Sequence, residues 1–94
     1  MKIRLAAAAI RDLRGARNFI ADDDETAAAT VVRKLEKAVD LIGERPAIGR
    51  PTVQQSVREW SVPGLPYLIP YRIRSEMIEV LRIWHTSRKR PDAW

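Results

Sequence analysis

The sequence has no cysteine, one histidine (His85) and only four glycines among its 94 residues. Without cysteine, a disulfide framework, a thiolate zinc site and a thiol nucleophile are all excluded. A lone histidine, with no carboxylates at ligand spacing, cannot build a conventional zinc centre. The glycines form no phosphate-binding loop, and nothing resembles a nucleophile elbow. The sequence therefore predicts neither a bound metal nor a cofactor.

Long apolar runs are also missing. The N-terminus imitates a signal peptide, but its apolar run extends only from Leu5 to Ile10, and a signal peptide needs roughly 7–15 apolar residues. No stretch approaches the roughly 20 apolar residues of a membrane-spanning helix. These patterns predict a soluble, cytoplasmic protein that does not contact a membrane.

The composition is that of one small basic domain covering residues 1–94. Hydrophobic residues make up 46% of the chain and charged residues 31%, which is typical of a folded globule. The formal net charge is +5 and the isoelectric point is near 10.2. A basic chain favours acidic partners, whether nucleic acid, an anionic surface or an acidic protein.

The first half of the chain alternates between strand and helix periodicity. Ile3 and Leu5 predict a short strand with one face inward. A helix follows, with Ile10, Leu13, Arg17 and Ile20 at helical spacing. Asp22, with Glu25 three residues on, is spaced as the N-cap of a second helix. The stripe of that helix comprises Ala28, Val31, Leu35, Ala38 and Ile42, and its end is predicted at residues 43–45, ahead of Pro46. The short link predicts an antiparallel helix hairpin.

The second half predicts three strands. A turn-rich connector covers residues 46–51, where Gly49 can adopt a positive φ. The strands span residues 57–62, 67–73 and 77–84, and Pro70 indicates an edge or a bulge in the second of them. The fold class is therefore α+β, of order β-α-α-β-β-β, with a mostly antiparallel sheet packed on the helix hairpin. The basic tail from Arg88 to Trp94 is unpatterned. It is either a frayed terminus or a basic arm for an acidic partner.

One enzymatic chemistry stays open, which is metal-free cleavage of RNA. It needs an acid, a base and fixed cations around the phosphate. The candidates are His85 with Arg72, Arg82 and Arg88. Strand alternation places His85 and Arg82 on opposite faces of the sheet, unless the strand ends or bulges before His85. The aromatic residues can stack on bases or fill the core: Trp60, Tyr67, Tyr71 and Trp84.

The chain resembles the ParE/RelE toxins of type II toxin–antitoxin modules, often labelled plasmid stabilisation proteins. The resemblance covers nearly the whole chain. It rests on motifs in order: Ala-x-x-Asp-Leu at 9–13, Arg-Pro-Ala-Ile-Gly-Arg-Pro at 45–51, Trp-Ser-Val-Pro-Gly-Leu-Pro-Tyr-Leu-Ile-Pro-Tyr-Arg at 60–72, and Ile-Glu-Val-Leu-Arg-Ile-Trp-His-Thr-Ser-Arg at 78–88. It implies the same β-α-α-β-β-β fold and a growth-arresting activity.

The family has two modes of action. RelE-like members cut mRNA on the ribosome, and Arg88 matches one of their cations. Leu68, however, stands where they carry an arginine, Gln54 and Gln55 stand near their lysine-rich segment, and Trp94 ends a tail in which many of them have a tyrosine. ParE-like members bind DNA gyrase and trap it on cleaved DNA without a catalytic residue. The departures favour the ParE-like mode, and mRNA cleavage remains the alternative.

The resemblance also implies a cognate acidic antitoxin, ParD-like or RelB-like, bound in an even-stoichiometry hetero-oligomer. The +5 charge is suited to such a partner. The residues predicted to contact the target or the partner form a basic rim with one aromatic ring: Arg58, Trp60, Arg72, Arg88, Lys89 and Arg90.

Overall fold

The computed structural model describes all residues, 1–94. Strand β1 (Lys2–Leu5) leads into helices α1 (Ala7–Ala21) and α2 (Glu25–Glu44). Five strands follow: β2 (Arg50–Pro51), β3 (Val57–Ser61), β4 (Tyr67–Arg74), β5 (Met77–Val80) and β6 (Trp84–His85). The predicted α+β class and helix hairpin are confirmed. The predicted strand order lacks the two-residue strands β2 and β6.

The strands form one mixed sheet in the order β1-β5-β4-β3-β2, with β6 also pairing with β4. Only β1 and β5 run parallel; every other pair is antiparallel. Both helices pack on one face of this sheet, which we call the helix face. Neither helix combines the length and apolar character that a membrane crossing demands.

The core lies between the helix hairpin and the helix face. Helix α2 contributes Leu35, Ala38, Val39 and Ile42, as its predicted stripe requires, and the sheet contributes Tyr67, Ile69, Tyr71, Ile78 and Val80. The residues predicted at helical spacing on α1 do not all face inward, because Ile10 and Arg17 are exposed, whereas Ala9 is fully buried. A methyl-sized side chain at residue 9 allows α1 to lie close to the sheet.

The helix boundary also differs from its prediction. Asp24, and not Asp22, is the N-cap of α2, since its carboxylate accepts a hydrogen bond from the Ala27 N–H at 3.0 Å. Asp22 instead caps the end of α1, where its own N–H donates to the Asn18 carbonyl. Because three consecutive residues are aspartate, the sequence alone does not show which of them is the N-cap of α2. Helix α1 is long enough to use the first of them at its own end, so the third becomes the N-cap.

The connector between α2 and β3 is fixed by Tyr71. The Tyr71 hydroxyl donates to the Pro46 carbonyl at 2.7 Å and accepts from the Gly49 N–H at 2.8 Å. A Cβ at Gly49 would lie 2.7 Å from the Tyr71 ring and 2.9 Å from the Glu59 carbonyl. Gly49 is therefore required for this close approach. The positive φ predicted there occurs at Gly64 instead.

A β-bulge divides the strand predicted over residues 77–84. Tyr71 pairs with Val80 and Leu68 pairs with Trp84, so the two residues of β4 between these pairs face three residues of the opposing stretch. The Leu81 N–H donates to the Pro70 carbonyl at 2.9 Å, and the extra residue lies between Leu81 and Trp84. Pro70 has no N–H to offer a partner strand, which is consistent with the interruption opposite it. A single uninterrupted strand over 77–84 was thus a wrong prediction.

Candidate functional site

The sheet face opposite the helices, here called the outer face, carries a buried carboxylate. The register places Glu59 of β3 beside Pro70 of β4 on this face, and the Glu59 side chain is only 1% exposed. Its oxygens accept a hydrogen bond from Trp94 Nε1 at 2.7 Å and pair with Arg90 and, at 3.5 Å, with Arg50. These three donors compensate the carboxylate for its lost water. They also tie the end of the chain to the sheet.

The C-terminal segment (88–94) is therefore packed and not frayed. The Trp94 ring meets the Trp84 ring edge-to-face at 5.5 Å, and the Trp94 N–H donates to Gln54 Oε1 at 2.9 Å. The Arg88 guanidinium lies 4.1 Å from the Trp84 ring centroid, a cation–π distance. The segment covers part of the outer face and leaves the exposed Lys89 at the rim.

At the other end of the outer face, four cations form a cationic strip, two on β1 and two on β4, with β5 between these strands. Lys2 and Arg4 of β1 flank β5 on one side, and Arg72 and Arg74 of β4 flank it on the other. Arg4 pairs with Glu79 at 2.6 Å, whereas Arg72 and Arg74 pair with no carboxylate of the chain. This strip is a surface that can receive an acidic partner.

Two of the predicted contact residues point away from the outer face. The Arg58 guanidinium donates to the Gly49 carbonyl at 2.7 Å and to the Ala47 carbonyl at 3.4 Å, so it holds the connector. Trp60 packs against the core from the helix face, and its buried Nε1 has no hydrogen-bond partner. Neither is part of the outer-face rim that contains Arg72, Arg88, Lys89 and Arg90.

Among the nuclease candidates, Arg82 is committed to an ion pair. Its Nε and Nη2 donate to the two carboxylate oxygens of Asp12 at 2.7 and 2.9 Å, and the Ile83 N–H also donates to Asp12. The hydrogen bonds that Arg82 donates to the Asp12 carboxylate hold the pKa of Arg82 above its usual range, against the opposing effect of burial. The pair joins α1 to the bulge. Sequence reasoning missed this role of Asp12, although the residue stands in the Ala-x-x-Asp-Leu motif.

His85 lies on the side of Asp12 and not across the sheet from Arg82. The bulge shifts the alternation after Val80, and Asp12 and His85 line one open cavity of about 270 Å³. The predicted separation of His85 from Arg82 held only for a strand without a bulge before His85, and the bulge removes it. The Ser87 N–H donates to His85 Nδ1 at 3.1 Å, which places the proton of the neutral ring on Nε2. The ring meets Tyr67 edge-to-face at 5.2 Å.

The four nuclease candidates do not converge on one site. Arg88 lines the cavity that contains His85. Arg72, by contrast, lies far from His85. His85 pairs with Tyr67 of β4, and Arg72 lies five residues further along β4, which is about 16 Å along a strand. The Arg72 side chain also faces the outer side of the sheet. Leu68, where a nuclease would carry a cation, is buried beside Trp84. No group of three or more potential metal-ligating side chains is present.

A second cavity, of about 320 Å³, lies along the sheet edge formed by β1. It is mostly apolar, with two acidic residues at its border; its lining comprises Ile3, Leu5, Leu13, Leu35, Glu36, Val39, Asp40 and Ile83. An edge strand beside an apolar groove is a typical docking surface for an extended or helical segment of another chain. Sequence reasoning gave no signal for this groove, because its apolar residues also fit core positions and its two acidic residues also fit an exposed helix face.

Comparison with known proteins places the chain in one family. The family model for the ParE toxin of the type II toxin–antitoxin system parDE matches residues 3–90. The candidate toxin Y4kP of Sinorhizobium fredii is 41% identical over 90 residues, which cover 96% of this chain and 93% of the relative. Toxin RelE1 of Caulobacter vibrioides is 36% identical and covers 77% of this chain and 78% of its own length.

A third relative and a solved structure agree with this placement. Toxin RelE2 of Caulobacter vibrioides is 31% identical, covering 85% of this chain and 89% of its own. A chain from the chromosomal ParDE toxin–antitoxin system of P. aeruginosa superimposes with a TM-score of 0.79 at 22% identity, covering 90% of this chain and 95% of that one. The shared fold is thus the two-helix, mixed-sheet architecture described above. This chain belongs to the ParE toxin family, and it is a toxin of a type II toxin–antitoxin system of the ParDE/RelE type.

Proposed function

We propose that the toxin arrests growth by binding DNA gyrase and holding it on cleaved DNA, and that it acts in the cytoplasm without a catalytic residue of its own. The observation that carries this proposal is the dispersal of the nuclease candidates. Arg82 is held by Asp12, Arg72 faces the outer side, and Leu68 is an apolar residue buried beside Trp84. Cleavage of RNA needs an acid, a base and cations within reach of one phosphate.

The outer-face rim is the surface that we expect to contact the target. The cationic strip offers Arg72 and Arg74 without intramolecular carboxylate partners, and Lys89 is exposed on the C-terminal segment. Cations that are free of internal partners can pair with acidic residues or with DNA phosphates at a gyrase–DNA complex.

Neutralisation by a cognate antitoxin is the second part of the proposal. The apolar groove along β1 can accept aliphatic anchors of an antitoxin segment, while acidic residues of that segment meet the +5 charge. We propose an even-stoichiometry complex with an acidic ParD-like or RelB-like protein encoded beside the toxin. Co-purification of the native gene pair tests this part, and recovery of the toxin without a small acidic partner would count against it.

The gyrase proposal is tested with purified gyrase and with growing cells. We expect the toxin to inhibit supercoiling, to accumulate cleaved DNA and to induce an SOS reporter. The double variant Arg72→Gln/Arg74→Gln should weaken inhibition about tenfold or more. The matched control Arg33→Gln/Lys34→Gln, on the exposed side of α2, should inhibit as the unaltered toxin does, because it removes the same charge elsewhere.

A ribosome-dependent mRNA interferase is the alternative function. Two observations favour it: His85 and Arg88 line one cavity, and two relatives are named RelE toxins. The same expression experiment therefore includes mRNA integrity. Rapid mRNA cleavage that disappears in His85→Ala, with no SOS response and no inhibition of gyrase, would replace the gyrase proposal with this one.

A further inference from the structure

The cavity of about 270 Å³ that contains His85 lies between α1 and the end of the sheet, and we call it the α1 cleft. Helix α1 contributes Arg11, Asp12, Gly15, Ala16 and Phe19, which recur on one side of the helix. The sheet and the following turn contribute Tyr67, Ile83, His85 and Arg88. The cleft is separate from the apolar groove along β1, and it shares only Arg88 with the outer-face rim of the gyrase proposal.

The charge of the α1 cleft is positive. Its one carboxylate, Asp12, is neutralised by the two hydrogen bonds from Arg82. Arg11 and Arg88 form no ion pair with any acid of the chain. Two guanidinium groups without carboxylate partners favour an anion with several oxygens, and a phosphate is the common biological example.

His85 adds a ring N–H donor to these cations. Because the Ser87 N–H occupies Nδ1, the ring proton is on Nε2, and Nε2 has no acceptor within the chain. The edge-to-face contact with Tyr67 and the bond from Ser87 restrict rotation of the ring. The donor is therefore held in place before any ligand arrives.

The outer end of the cleft is apolar and flat. The Phe19 side chain is 79% exposed, which is unusual for an aromatic ring in a small protein. Gly15 precedes it by one helical turn, and a Cβ added at Gly15 would meet no atom within 4 Å. Glycine inside a helix is unfavourable relative to alanine, and packing does not require it here. The open space leaves the face of Phe19 accessible to a planar ring.

We propose that the α1 cleft binds a nucleotide, with its phosphate between Arg11, His85 and Arg88 and its base stacked on Phe19. Because any base can stack on an aromatic side chain, the site should prefer a nucleotide over a nucleoside without discriminating between bases. The volume is below the roughly 300–1,000 Å³ of pockets that enclose drug-sized ligands. We therefore expect the open cleft to hold the phosphate of a single nucleotide, either free or at the end of a strand, while the base lies at its outer end on Phe19.

The test uses the full-length chain, free or with its antitoxin, and follows backbone amide signals by NMR. The probes are adenosine 5′-monophosphate, adenosine, inorganic phosphate and a 5′-phosphorylated dinucleotide. We expect the monophosphate to shift the Gly15, Phe19 and His85 signals at saturating concentration. Adenosine and phosphate should each bind at least tenfold more weakly, because each lacks one half of the ligand. Equal or tighter binding of the dinucleotide assigns the site to a strand end, and preference for the monophosphate assigns it to free nucleotides.

Four variants make the assignment specific. Arg11→Gln should weaken binding of both the monophosphate and phosphate about tenfold. Phe19→Ala should weaken the monophosphate but leave phosphate unchanged. Gly15→Leu retains helix propensity and fills the cleft, so it should abolish binding in a folded protein. Arg14→Gln, which removes a charge from the same helix outside the cleft, should have no effect. Absence of shifts, or an equal loss in Arg14→Gln and Arg11→Gln, would overturn the proposal, whatever the outcome with gyrase.

Discussion

At the scale of the residue, Tyr71 stabilises the connector between α2 and β3. Its hydroxyl joins the Pro46 carbonyl and the buried Gly49 N–H. Tyr71→Phe would leave both groups without that partner, so we expect the free energy of unfolding to fall by about 1–3 kcal/mol in urea denaturation. Tyr67→Phe is the matched control, since the Tyr67 hydroxyl forms no hydrogen bond within the chain, and it should cost clearly less. Equal losses in the two variants would contradict this role of Tyr71.

The same two tyrosines predict how stability depends on alkaline pH. Burial raises the pKa of Tyr67, and burial raises that of Tyr71 against the lowering effects of the Gly49 hydrogen bond and of Arg58. In the unfolded chain both ionise at about pH 10. Above that pH the unfolded state binds fewer protons than the folded state, so the free energy of unfolding should fall as pH rises. Below it, these groups contribute no pH dependence.

Urea denaturation at a series of pH values from neutral to alkaline measures this effect. The chain contains two tyrosines, so Tyr67→Phe/Tyr71→Phe removes all tyrosine titration. The double variant should be less stable at neutral pH and should lose less stability between about pH 9 and pH 11. Parallel curves for the two proteins would assign the alkaline loss to other groups.

At the scale of the element, Trp94 forms several of the contacts that hold the C-terminal segment on the outer face. Trp94 contacts Trp84 of β6 and Glu59 of β3. It also contacts Gln54, which precedes β3. Trp94→Ala should lower the free energy of unfolding by about 1–3 kcal/mol, because the half-buried ring loses its contacts. It should also accelerate trypsin cleavage after Arg88 and Lys89. Asp92→Ala, an exposed position in the same segment, should change neither rate nor stability. Unchanged cleavage in Trp94→Ala would show that the segment is held by other contacts.

The elements also show how far the sequence predicts the fold. The stripe of α2 is a long helical pattern, and four of its five predicted residues are buried, whereas Val31 is only partly buried and Val39 is buried beside the stripe. The sequence did not predict the position of the bulge after Val80. Pro70 indicates an interruption of β4, but it does not show which residue of the opposing stretch is the extra one. That single residue brings His85 to the side of Asp12 and so decides the composition of the α1 cleft. Docking of Trp94 on Glu59 depends on a long-range contact, for which a strand pattern carries no signal.

At the scale of the whole molecule, the net charge of +5 should govern how fast an acidic antitoxin associates. Charges steer the encounter, and salt screens them over about 8 Å at physiological ionic strength. This expectation rests on the proposed antitoxin. Between about 0.05 and 0.5 M salt, we expect the association rate constant to fall about tenfold or more. The dissociation rate constant should change little, since the groove along β1 is mostly apolar.

Stopped-flow mixing of toxin and antitoxin separates the two contributions with paired variants. Arg72→Gln/Arg74→Gln should flatten the dependence of the association rate on salt. Ile3→Thr, in the groove along β1, should raise the dissociation rate and leave the salt dependence intact, because it removes apolar contact and no charge. Association that is insensitive to salt, or a flattened slope in Ile3→Thr, would mean that net charge does not steer this encounter. The two variants therefore assign the encounter to the cationic strip and the lifetime of the complex to the groove.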